Sequence, residues 1–183
     1  MSKPLPWAEV EAVLLQDCRV FTVSRALARS PHTGESHPFY RIDSADWVNI
    51  VALTDDDALV MVRQYRHGER VVTLEIPGGI VDPGEDGATA AARELLEETG
   101  YLAGDVVKLG VVNPNPALFG NRTETYLARG VRRVADIDNS ATEETVVELV
   151  PRALLRRAAR QGRISSALVI AALYWFELHE AGE

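Results

Sequence analysis

Cysteine is almost absent, with Cys18 the only one in 183 residues. An intramolecular disulfide is therefore excluded, the composition suits a reducing compartment, and Cys18 itself reads as a small buried hydrophobe. Long apolar runs are missing too. The most apolar stretch, residues 164–178, falls short of the roughly 20 residues that a membrane-spanning helix needs and reads as a buried helix. The opening segment MSKPLPWAEVEAVLLQ carries acidic residues where a signal peptide needs an uninterrupted apolar core. These absences lead to the expectation of a cytoplasmic protein that uses no membrane. A surplus of positive charge is also lacking, since 19 Lys and Arg against 27 Asp and Glu give a net charge of −8. That balance argues against a general nucleic-acid surface. It leaves a nucleotide substrate open, because a metal ion and a few arginines can invert a local field. Repeats, low-complexity tracts and linker-like stretches do not occur, and 46% hydrophobic with 25% charged residues is ordinary globular composition. One structural domain with a substantial core is expected.

What is present is an alternation of strand and helix signals, which predicts an α/β (α+β) fold. Residues 20–28 and 39–42 predict an early hairpin around the loop SPHTGESHP. Residues 47–53 and 58–66 predict two strands joined by the Asp55-Asp56-Asp57 turn. Residues 71–76 predict another, which Pro77-Gly78-Gly79 should break. Further strands are expected over 106–112, 123–128 and 146–150, with the long loop NPNPALFGNR between the first two. Pro151 is expected to open a helix to about residue 161, and residues 164–180 to form the last one. Arg152, Arg156, Arg157, Arg160 and Arg163 cluster on the penultimate helix as either a solvated face or a phosphate or partner site.

Residues 79–101, GIVDPGEDGATAAARELLEETGY, are the most informative stretch. Asp82-Pro83-Gly84 is turn chemistry, and Asp86 suits the N-cap of a helix over 88–99. Gly100 stands where a left-handed stop belongs, and Ala88, Ala91, Ala92, Leu95 and Thr99 form the expected packed stripe. Glu94 and Glu98, spaced i,i+4, project from one face with Glu97 on its flank. Like charges at that spacing cost an isolated helix roughly a few tenths of a kcal/mol. A cation among them explains the cluster, and hard divalent ions such as Mg²⁺ or Mn²⁺ take oxygen ligands and bridge to phosphates. Arg93 can pair with Glu97 at i+4 and hold that carboxylate in place. An ordinary solvated acidic face is the alternative, and Gly79, Glu85, Arg93 and Gly100 in register with the carboxylates speak against it.

Gly79, Glu85, Arg93, Glu94, Glu97, Glu98 and Gly100, with Leu95 and Tyr101 at two bulky positions, spell G-x5-E-x7-R-E-U-x-E-E-x-G-U. By this box the chain resembles the Nudix hydrolases, which cleave nucleoside diphosphates linked to a second moiety. Tyr101 is the one departure, where an aliphatic residue is commoner. The resemblance implies a mixed β-sheet sandwiched between α-helices, with an N-terminal β-hairpin extension. It implies a site for Mg²⁺, with Mn²⁺ as a possible substitute, held by Glu94 and Glu98, with Glu97 a ligand or immediate neighbour. The carbonyl of Gly78 is a further implied ligand, and Glu85 supports the loop. Glu97 and Glu98 thus belong to the catalytic set, completed by a general base from the later loop NSATEETVVEL. Glu143 is favoured there over Glu144, as base or as extra metal ligand.

VRQYRHG (62–68), LEIPGG (74–79) and the box together resemble ADP-ribose and nucleotide-sugar pyrophosphatases, and Pro116 falls sixteen residues after Gly100, where that subgroup carries a marker proline. Arg66 shares a strand face with Gln64 and is either a bidentate diphosphate contact or a surface ion pair. Trp47 either stacks on the base or packs in the core. Asn121 and Arg122 are implied contacts to phosphate or sugar. Relatives of this kind are commonly homodimers, so residues 1–45 are expected to join a dimer interface and 46–183 to form the hydrolase domain. The implied partner is a nucleoside diphosphate sugar, with no nucleic acid. ADP-ribose would give AMP and ribose 5-phosphate. A hexose conjugate such as GDP-mannose, a dinucleotide, or a silent ADP-ribose sensor are the alternatives.

Overall fold

A computed structural model describes residues 3–182 as two compact units. The first comprises the chain up to Ala45 together with Asn113–Asn121. It is an antiparallel three-stranded sheet of β1 (Ala8–Asp17), β2 (Phe21–Arg29) and β3 (Ser36–Ser44), in that order. The expected hairpin is β2–β3. The additional strand β1 pairs with β2 through two register shifts, between Glu9 and Glu11 and between Leu14 and Gln16. Such shifts interrupt the two-residue alternation by which a strand is recognised. Trp7, Leu14, Phe39 and Tyr40 are exposed large hydrophobics in this unit. Cys18, expected inside, is only partly buried.

The second unit is a mixed sheet between helices. Its seven strands run β12 (Thr145–Pro151), β5 (Ala58–Arg66), β4 (Trp47–Leu53), β10 (Thr123–Arg129), β9 (Val106–Val112), with β6 (Val71–Glu75) on β5 and β7 (Gly78–Ile80) on β4. β10 is parallel to β4 and the other pairings are antiparallel. β4 and β5 meet at Leu53↔Leu59, and farther along β7 lies beside the one and β6 beside the other. The Pro77-Gly78-Gly79 segment therefore ends one strand and enters another, where a break was expected. β8 (Tyr101–Leu102) and β11 (Arg132–Arg133) form a small separate ribbon.

Side-chain alternation along β4 sorts the core into two layers. Val51 and Leu53 join Met61, Leu127 and Phe176 beneath α3 (Ala167–Ala181), whereas Val48, Ile50 and Ala52 join Ala90, Ala91 and Leu95 of α1 (Gly87–Thr99). In the predicted stripe of α1, Ala88 and Ala92 are only half-buried, whereas Ala90, outside that stripe, is fully buried. Pro151 is extended (φ −52°, ψ 131°) and closes β12, so the expected helix begins later, as a 3₁₀ turn followed by α2 (Leu155–Arg160). α3 starts at Ala167 because Ser166 caps it. Arg152, Arg156 and Arg163 pair with Glu180, Glu177 and Glu148, which fits the solvated-face reading of the basic cluster. No helix among the described residues is long and apolar enough to cross a membrane.

Candidate active site

Helix α1 aims the box carboxylates. The Asp86 side chain accepts from the N–H groups of Ala88 (3.0 Å) and Thr89 (3.1 Å), and Gly100 (φ 74°) ends the helix with its N–H on the Leu96 carbonyl. Between these caps, Arg93 spends all five guanidinium donors. Two go to Glu85 (3.1 and 3.0 Å), one to Glu94 (2.9 Å), one to Glu97 (3.0 Å) and one to the Ile80 carbonyl (3.0 Å). Arg93 holds the Glu85 carboxyl below its usual range, in keeping with a structural role for Glu85. Burial nevertheless raises the Glu94 carboxyl despite Arg93.

Two glycines let the backbone reach these carboxylates. A Cβ on Gly79 would overlap the Glu94 carboxylate, and one on Gly78 would overlap the Val48 carbonyl across the β4–β7 pairing. The Gly78 N–H donates to Glu98 at 3.1 Å. Glu98 is 3% exposed, and burial, with Glu94 and Glu143 nearby, pushes its carboxyl up to about 8 against the pull of that N–H.

A second arginine stands across the cleft. Arg66 forks Glu75 through Nε (2.8 Å) and Nη2 (3.0 Å), and the Thr73 hydroxyl donates to the same Glu75 carboxylate at 2.6 Å. Burial works to raise the Glu75 carboxyl, and the Arg66 and Thr73 bonds overcome it, leaving it below the usual range. The sequence showed Arg66 and left its partners unnoticed, although Thr73 and Glu75 alternate on a strand that pairs with β5.

The loop carrying Glu143 is stitched to the end of α1 at both ends. The Asp138 N–H donates to the Glu97 carbonyl (2.9 Å) and the Thr145 hydroxyl to the Glu98 carbonyl (2.7 Å), which satisfies two otherwise orphaned helix-end acceptors. Glu143 is exposed and accepts from the Ser140 hydroxyl at 3.0 Å.

These groups line one cleft of about 720 Å³, a volume suited to a small organic ligand. Trp47, Arg66, Gly78, Glu94, Glu97, Glu98 and Glu143 all line it, as do Asn49, Thr73, Glu75 and Thr123, which sequence reasoning did not single out. Glu144, Pro116, Asn121 and Arg122 are not among its lining residues. Pro116 is exposed in the first unit, where Asn121 is buried with its amide donating to the Ala45 carbonyl. Arg122 has an exposed side chain and gives its backbone N–H to Asp46 at 2.7 Å.

Among the described residues, no three His, Cys, Asp or Glu side chains converge into a ready metal cage. Arg93 and the Gly78 N–H take up the carboxylates instead. The donor set still fits a hard divalent cation. It is all oxygen, it contains more carboxylates than the single Arg93 can neutralise, and its most buried member, Glu98, has only a neutral N–H as partner.

Comparison with known proteins agrees with this geometry. Residues 44–181 match the NUDIX domain. The chain is 30% identical over 138 residues to the methanol dehydrogenase activator of Bacillus methanolicus, covering 73% of each chain. It is 31% identical over 103 residues to an ADP-ribose pyrophosphatase of Bacillus subtilis (strain 168), covering 56% of this chain and 55% of that one. A crystal structure of an ADP compounds hydrolase matches with a TM-score of 0.86 at 24% identity, over 99% of this chain and 98% of that chain.

Proposed function

The chain belongs to the Nudix hydrolase family, and on that premise we propose that it is an Mg²⁺-dependent pyrophosphatase of ADP-ribose or a related nucleoside diphosphate sugar. The products are a nucleoside monophosphate and a sugar phosphate. One observation carries the reading: Glu98 is buried beside Glu94 and Glu143 and makes no ion pair among the described residues, with only the field of Arg66 and the Gly78 N–H acting for its charge. The relatedness to an ADP-ribose pyrophosphatase supports the substrate class.

Glu94 and Glu98, with Glu97 and the Gly78 carbonyl, would hold the divalent cation, whose chemistry is to stabilise charge on the phosphoryl oxygens and acidify a bound water. The remaining work belongs to the chain. Arg66 is anchored through Nε and Nη2, which leaves its Nη1 edge for a phosphate oxygen. Glu143 accepts the proton of the attacking water as the new P–O bond forms and the bridging P–O bond breaks. Arg93 keeps Glu94 and Glu97 from rotating away. The exposed apolar side chains of the three-stranded sheet support a homodimer. Light scattering during gel filtration tests that point, and a monomer at micromolar concentration would refute it.

The test of function is hydrolysis of ADP-ribose, ADP-glucose, GDP-mannose, UDP-glucose, NADH and diadenosine polyphosphates with Mg²⁺ or Mn²⁺, products separated by chromatography. AMP and ribose 5-phosphate from ADP-ribose is the expected result. Absence of turnover on every substrate with both metals would overturn the reading.

A further inference from the structure

Two buried polar groups on residues that line the cleft find no partner among the described residues. Oδ1 of Asn49 and Oγ1 of Thr123 are buried without a hydrogen-bond partner among the described residues, and the two residues are 7% and 1% exposed. Both line the cleft. Buried polar groups are almost always paired, and an unpaired one weakens the folded state, so each needs an explanation.

The strand register explains how they come together. In the parallel β4–β10 pair, Trp47 lies opposite Thr123 and Asn49 opposite Thr125. Trp47, Asn49 and Thr123 therefore stand on one face of the sheet. That is the face whose next residues, Val51, Leu53 and Leu127, enter the core layer beneath α3. Along β4 the stripe is apolar at Leu53 and Val51 and turns polar at Asn49 where it reaches the cleft. Leu168 and Val169, from the first turn of α3, line the cleft too. A planar apolar group with hydrogen-bonding edges would meet an aromatic ring and aliphatic side chains there, with the two unspent polar atoms buried in the residues of its wall.

We propose that Asn49 and Thr123 read the nucleobase of the substrate, which stacks on Trp47. This rests on the pyrophosphatase reading above and assigns the specificity of the same cleft. A carboxamide offers a donor and an acceptor in one plane, matching the adjacent donor and acceptor on an adenine edge. Stacking tolerates any base, so the edge contacts make the choice. A site that leaves its own polar groups unpaired with the wrong ligand discriminates far better than an apolar slot.

The experiment compares wild type with Asn49→Leu, Asn49→Asp and Thr123→Val. Equilibrium binding of AMP, GMP, CMP and UMP is measured, alongside kcat/KM for ADP-, GDP-, UDP- and CDP-glucose, a series that varies only the base. Wild type is expected to favour adenine by about tenfold or more. Asn49→Leu should narrow the spread to within about threefold. Asn49→Asp should move preference toward guanine, whose N1–H and N2–H₂ present two donors to a carboxylate. Thr123→Val, nearly the same shape and free of an unpaired hydroxyl, should fold at least as well as wild type and weaken the preferred base selectively. Equal affinity of wild type for all four bases, or the same spread in every variant, overturns the inference. Monophosphate binding needs no turnover. A chain that hydrolysed nothing yet bound AMP in an Asn49-dependent way would sink the pyrophosphatase reading and uphold this one.

Discussion

Glu75 and Glu98 line the same cleft and are buried to a similar degree, 8% and 3% exposed, yet their carboxyls move in opposite directions. Burial raises both. At Glu75 the Arg66 fork and the Thr73 hydroxyl more than cancel it. At Glu98 one backbone N–H and the field of Arg66 cannot, and Glu94 and Glu143 add to the rise. Burial alone therefore does not mark a catalytic carboxylate. The informative difference is the missing countercharge. A glutamate whose cation is built into the chain positions an arginine, and a glutamate left without an ion pair carries the charge that the proposed divalent cation would neutralise.

Three changes test that contrast. The largest effect is expected from Glu98→Gln, which removes the uncompensated charge. Hydrolysis at saturating Mg²⁺ should fall by roughly a thousandfold or more, while the metal-free variant melts no lower than wild type at pH 8. A variant that kept its rate would end the case for Glu98. Next comes Arg66→Leu, which makes Glu75 resemble Glu98 by stranding it. Urea unfolding at pH 7 should show a loss of about 2 kcal/mol, toward the low end for a broken pair because Arg66 is partly exposed, and the loss should shrink at acid pH as Glu75 takes up a proton. An unchanged midpoint would mean that Glu75 needs no partner.

The last test, and the sharpest in sign, is the pH dependence of metal-free wild type. Below about pH 4.5 Glu98 is protonated whether the chain is folded or not, and it contributes nothing. Between there and about 8 the unfolded chain ionises it while the folded chain keeps its proton, so stability falls as pH rises and the deficit is complete above 8. Mg²⁺ should therefore raise Tm more at pH 8.5 than at pH 5, and this pH-dependent part should shrink in Glu98→Gln. A Tm gain of equal size at both pH values would contradict the origin assigned to it.

The parts of this arrangement encoded by local chemistry could be read from the sequence. Asp86 and Gly100 bound the box helix because capping and left-handed stops depend on neighbours a few residues away. β4 and β9 were legible as strands for the same reason, each being a short run dominated by branched and apolar residues. What depends on distant pairing was not. β1 lost its alternation to two register shifts, and the ribbon of β8 and β11 joins segments thirty residues apart with only two residues each. Glu75 became meaningful only when β6 folded against β5 and delivered it to Arg66. Asn49 did leave a signal, a carboxamide between Val48 and Ile50 in the run DWVNIVALT, where a buried strand has little use for one. Pro116, Asn121 and Arg122 rested on resemblance, and the cleft is lined by other residues.

The double stitch on the Glu143 loop bears on timing. Six residues separate Asp138 from Thr145, and both ends are pinned to consecutive carbonyls of α1. An arm that short, tethered at both ends, has a tip that travels at most roughly a dozen ångströms from its anchors. Most of the entropy of closing it is already spent when the protein folds. On the proposed reading of Glu143 as the base, a brief local swing brings it to a bound diphosphate, with no slow lid to wait for. On that reading, a slow step in the cycle lies elsewhere than in the arrival of this carboxylate.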